Sequence, residues 1–125
     1  MNLLKLPLYC CAFLCQFAFA QTTNAWQDLG KEKGVTLSYQ IDDCKGTAFL
    51  FFKVYNSTDK PVSALYSVRV TDESGKVIFM LPTQPHLVQA GKTESGDCEH
   101  ATSDYSKPLP KAHAYNVDLI NLTIH

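Results

Sequence analysis

Two stretches of this chain alternate apolar and polar residues: "VTLSYQI" from Val35 to Ile41, without interruption, and "VSALYSVRVTD" from Val62 to Asp72. A period of two puts successive side chains on opposite faces, so each stretch is a strand with one face turned to a core. Val35, Leu37, Tyr39 and Ile41 form the inward set of the first; Val62, Ala64, Tyr66, Val68 and Val70 form that of the second. Between them "TAFLFFKVY" carries apolar residues on both parities, as a central strand covered on two sides does.

The punctuation fits the same architecture. "DDCKG" and "NSTDKP" are turn compositions, and "ESGK" joins the second alternating strand to "VIFM" as a hairpin. The two prolines of "LPTQPH" are expected to break regular pairing. "HLVQAGKTESGDC" then gives a short strand, an Ala-Gly turn and a polar strand ending at Cys98. Residues Glu99 to His113 read as a long Pro-punctuated loop with room for one short edge strand. In "AYNVDLINLTI" the apolar parity slips after Leu119, which predicts a bulge near Ile120 and Asn121. The sum is an all-β fold, an antiparallel β-sandwich of six to seven strands spaced by roughly ten residues.

The chain of 125 residues opens "MNLLKLPLYCCAFLCQFAFAQ". A basic head, an apolar run short of the roughly 20 residues that span a bilayer, and a small-x-small site at Ala18 to Ala20 predict a cleaved signal peptide over residues 1–20. Residues 21–34 read as a polar leader or short helical turn, and 35–125 as one β-sandwich domain. Cleavage removes Cys10, Cys11 and Cys15 and leaves Cys44 and Cys98, most simply one disulfide in an oxidising compartment. The alternative is a zinc site from the two thiolates with His100 and the carboxylates of "DDC" and "DCEH", although no C-x-x-C spacing is present. Losing Lys5 makes the formal net charge one unit more negative than −1, which gives no electrostatic case for nucleic acid or anionic lipid.

The order of a strand, a cysteine, a long apolar strand, "NSTDKPV", an alternating strand, a hairpin, "LVQAGKT" and a C-terminal strand resembles the small exported immunoglobulin-like or fibronectin-III-like domains of bacteria. "LVQAGKT" is similar to the L-x-P-G corner of those domains, and Ala18-Phe19-Ala20 before Gln21 is similar to signal peptides of Bacteroidetes. The resemblance covers Val35 to Ile124 and implies a fold, without an activity. It departs from the antibody pattern in having no tryptophan between Cys44 and Cys98.

Catalytic patterns are sparse. "STDK" at Ser57 to Lys60 matches S-x-x-K in a turn of a chain too short for the enzymes that use it. Cys98 with His100 lacks an orienting third group. His86, His100, His113 and His125, with Met80 as a soft partner, make copper or zinc conceivable but lack dense His and Met pairs. No metal, cofactor or catalytic residue is therefore expected. "NST" at Asn56 and "NLT" at Asn121 fit the glycosylation sequon, relevant in a eukaryote.

Phe49, Phe51 and Tyr55 share one parity and would form a partner-contact patch if that face were open; the preferred arrangement turns them toward the second sheet, with loops over Leu50, Phe52 and Val54. The expected function is a secreted or periplasmic, non-enzymatic β-sandwich that binds a protein or a cell-surface component. The alternatives are an inhibitor of an extracytoplasmic enzyme acting through the Glu99 to His113 loop and, more remotely, a periplasmic metal-binding protein.

Overall fold

The computed structural model describes residues 25–125, with the main chain alone at residues 81–84. The expected signal peptide and residues 21–24 of the leader lie outside the described residues. The strands are β1 (Gln27–Glu32), β2 (Val35–Cys44), β3 (Thr47–Asn56), β4 (Val62–Asp72), β5 (Val77–Val88), β6 (Thr93–Ser95), β7 (Ser106–Pro108) and β8 (Tyr115–Ile124), with one 3-10 turn at Cys98–His100. They form two antiparallel sheets. One runs β1-β2-β3, with β6 and β7 sharing the far edge of β3; the other runs β5-β4-β8.

The core is what the alternation requires. Val35 and Leu37 of β2 and Leu50, Phe52 and Val54 of β3 meet Val62, Ala64, Tyr66, Val68 and Val70 of β4 between the sheets, with Val88, Leu109, Val117 and Ile124 completing the cluster. The β8 bulge falls where the parity slips, since Ser67 pairs with Asn121 and Val68 with Leu119, leaving Ile120 over. Asn56, at the end of β3, is fully buried and turns the chain. Its Nδ2 donates to the main-chain oxygens of Lys60, Val88 and Gln89, and its Oδ1 accepts from Thr58 N and Oγ1.

Three sequence expectations are corrected. Gln27–Glu32, placed in a leader, is β1 and pairs with β2 through a two-residue turn, Lys33–Gly34, at φ 50° and 79°. Ser38 Oγ donates to Asp28 Oδ1 at 2.8 Å across that pair. The prolines of "LPTQPH" do break regular pairing, as a bulge opposite Ser67, but they do not end the strand: β5 runs through them as one edge strand. An edge strand tolerates a missing N–H, because one side of its ladder is unpaired in any case.

The third correction concerns β3. Leu50, Phe52 and Val54 face the second sheet, and Phe49, Phe51 and Tyr55 lie on the outer face. Phe51 is nonetheless only 1 % exposed. The turn between β6 and β7 crosses above it: Ser106, paired with Phe51, donates its hydroxyl to His100 O at 2.9 Å, and Phe49 lines a groove with Cys98 and Ala101.

Candidate functional site

The β2–β3 hairpin organises one end of the sandwich. Lys45 and Gly46 have φ of 55° and 90°, the two positive values that a tight two-residue hairpin turn needs. Asp42 and Asp43 precede the turn and serve it: Asp42 Oδ1 accepts from Asp43 N at 2.8 Å, and Asp43 Oδ2 from Gly46 N at 3.1 Å. Next to them Cys44 is joined to Cys98, with an S–S distance of 2.04 Å. Cys44 lies on the parity of Asp42 and Gln40, opposite Phe49 and Phe51, so the bond ties the β6–β7 turn to the outside of one sheet. An antibody-type disulfide instead pins two sheets through the core.

On the inner side of the same hairpin a cleft of about 560 Å³ opens between β2, the start of β3 and the segment 109–115. Ile41, Ala48, Leu109, Ala112, Ala114 and Tyr115 supply apolar lining, Asp42 and Asp43 flank it on the hairpin side, and Lys111 and His113 on the crossing segment. That segment is held at both ends: Leu109 N donates to Ala48 O at 2.8 Å, and the Tyr115 hydroxyl donates to Pro110 O. Among the described residues Lys111 and His113 make no ion pair with the aspartates. The Asp43 carboxylate, an ammonium and an imidazole thus border an apolar floor, with Asp42, a residue of the outer parity, also lining it; Asp42 Oδ1 and Asp43 Oδ2 each accept from a hairpin amide. An apolar floor with a polar border is the general makeup of ligand clefts.

The remaining candidates are dispersed. Tyr55 is 42 % exposed and Phe49 half-buried, so the trio with Phe51 shares a face without forming an open patch. The Glu99 to His113 segment is no free loop: it supplies β7 to the β3 edge, and its first part folds into turns closed by Ser103 N to His100 O and Ser106 N to Ser103 O. Asp97 caps the 3-10 turn. It accepts from His100 N and lies 2.8 Å from His100 Nδ1, and the His100 hydrogen bond holds its carboxyl below the usual range.

The disulfide takes both thiols that the zinc alternative requires. Met80 and His86 sit on opposite faces of β5, Met80 paired with outward Arg69 and His86 with inward Ala64, so they do not meet at one metal. Among the described residues no group of three His, Cys, Asp or Glu side chains is arranged to hold a metal ion, and no helix is long and apolar enough to cross a membrane.

Sequence reasoning missed the cleft because its two walls, Asp42–Asp43 and Lys111–His113, are about 70 residues apart and each reads locally as a turn. A signal for β1 was present: "EKGV" repeats the pattern of "CKGT", and both Lys-Gly pairs make the same kind of turn.

No protein-family model matches this chain, and neither does any curated protein. Among solved structures it is similar to the variable domain of the Streptococcus agalactiae AgI/II polypeptide BspA. The identity is 16 %, 82 % of this chain and 59 % of that one are covered, and the TM-score is 0.17. The chain thus spans 59 % of that domain's length, in a superposition too loose to set a shared topology.

Proposed function

We propose that this chain is an exported, non-enzymatic β-sandwich that binds another protein or a cell-surface component through the cleft at its β2–β3 end. The observation that carries the reading is the construction of that cleft: apolar lining between an Asp42–Asp43 flank and a Lys111–His113 flank that do not pair with each other. Its volume of about 560 Å³ is within the roughly 300–1,000 Å³ of ligand-sized clefts, room for a few side chains of a partner. A disulfide and a signal-like N-terminus support export. Asp42 and Asp43 each accept a hydrogen bond from a hairpin amide, which favours a binding role over a reactive one.

Capture from the native cell envelope tests this. The immobilised exported chain should retain a specific partner, and Ala112→Trp, which fills the cleft from a half-buried position, should reduce capture at least tenfold with an unchanged unfolding midpoint. Equal capture by both proteins, or no capture together with turnover on a broad substrate panel, would overturn the reading.

A further inference from the structure

The two sides of the sandwich are closed in different ways. On the β1–β8 side contact is direct: a Cβ placed on Gly30 would lie 2.6 Å from Leu119 Cδ2. On the other side β5 faces the split edge formed by β6 and β7, and among the described residues no main-chain hydrogen bond joins β5 to either. Rings bridge that side instead. Tyr66 of β4 stacks on His86 of β5 with centroids 5.3 Å apart and planes at 23°, and His86 meets Tyr105 at 4.7 Å and 37°. Tyr105 precedes β7 and belongs to the larger sheet, because its carbonyl accepts from Phe52 N at 2.8 Å. The imidazole therefore links β5 to the larger sheet beside Tyr105, while the Asn56 amide fastens the end of β5 to β3 through Val88 O.

We propose that His86 is a proton-operated latch: protonation releases β5 from Tyr105 and opens this side of the sandwich, while the β1–β8 side stays closed. A neutral ring between two phenols needs little hydration, whereas an imidazolium must be solvated, and this position is half-buried. The groups around it offset the charge only in part, and burial outweighs them. β4 presents Tyr66 and the turn before β7 presents Tyr105, both held neutral because burial raises them, Tyr105 to about 12. Asp104 favours the imidazolium and Lys107 of β7 opposes it, while Glu94 of β6 acts on Tyr105. The flanking β5 residues Pro85, Leu87 and Val88 carry no charge.

Burial is the largest influence and lowers the His86 pKa from its ordinary 6.5. The closed form thus binds fewer protons than an open form with a hydrated ring, so acid favours opening. The window begins near 6.5 and extends downward to the closed-state value. Opening would uncover the inter-sheet surface around Tyr66, Phe52 and Val88.

NMR on the full exported chain reads this directly: the through-space contact between the His86 and Tyr105 rings reports the latch, and amide exchange along the β4–β8 ladder reports the rest of the fold. Between pH 7.5 and 5.5 the His86–Tyr105 contact should weaken at least tenfold while the β4–β8 amides, after correction for intrinsic exchange, change less than twofold. His86→Phe, which keeps a ring in the stack, should abolish the response; His100→Gln should keep it. A uniform loss across all strands, an unchanged response in His86→Phe, or a wild-type His86 ring titrating at or above 6.5 by NMR would overturn the latch. The ring titration needs no variant, so the test survives if His86→Phe fails to fold.

Discussion

The side-chain amide of Asn56 donates to the main-chain oxygen of Val88 at 3.1 Å, joining the end of β3 in one sheet to the end of β5 in the other. The same nitrogen reaches Lys60 O at 2.7 Å and the same residue's oxygen holds Thr58, so one buried side chain closes the turn and bridges the sheets. Removing it strands several carbonyls away from water. Asn56→Ala should lower unfolding free energy by about 2–4 kcal/mol, read from the urea midpoint at unchanged slope. Asn56→Asp should do no better, since a carboxylate offers no donor to those oxygens.

The Cys44–Cys98 bond spans 54 residues of sequence. By loop-closure entropy it contributes about 4 kcal/mol, a large share of the roughly 5–15 kcal/mol that holds a domain of this kind. The double variant Cys44→Ser with Cys98→Ser should show that loss in chemical denaturation. It should also speed proteolysis in the 97–105 turn, because the bond anchors that turn over Phe49 and Phe51. Intact mass without reductant should lie two hydrogens below the reduced chain; two free thiols would refute the bond.

Gly96 sits where the split edge comes together. A Cβ there would stand 2.5 Å from both Tyr105 O and Ser106 Oγ, and the backbone atom cannot swing aside as a flexible side chain could. Gly96→Ala is expected to disrupt the bond from Gly96 N to Phe52 O and to cost about 1–3 kcal/mol, measured by calorimetry.

Two exposed aspartates contribute to the acid response. The Ser74 hydroxyl is the largest of several hydrogen-bonding contributions that lower Asp72, and the His100 hydrogen bond does the same for Asp97. A carboxyl whose folded pKa is depressed contributes stability that is present above its ordinary value of 3.8 and disappears as pH falls through the folded value. The melting temperature should therefore fall in two stages on acidification, the first beginning near 6.5 from His86, whose folded pKa is also lowered, and the second below 3.8. Asp72→Asn together with Asp97→Asn should flatten the second stage alone.

Strands β2, β4 and β8 were legible because one face of each is buried, and burial on one face writes a period of two into the sequence. Even the β8 bulge was visible as a slip of parity. The partners of a strand leave no such mark when it is short and polar. β1 is held by main-chain hydrogen bonds to β2, so its composition resembles that of a loop, whereas β6 and β7 fall within the polar strand before Cys98 and the edge strand expected in Glu99 to His113. The outer face of β3 was misjudged for a related reason: the turn that covers Phe51 is polar, and only its closure by Ser106 and the disulfide puts it there.

The sequence by itself determined the all-β class and the inward residues of the long strands, since these follow from local periodicity, and it made a Cys44–Cys98 disulfide the simplest use of two cysteines, which the structure contains. The tertiary structure decided which apolar face of β3 meets the second sheet, that the disulfide lies outside the core, and that Asp42–Asp43 and Lys111–His113 frame one cleft. Those outcomes depend on which strands pair across long separations, a global choice among packings that no local pattern encodes.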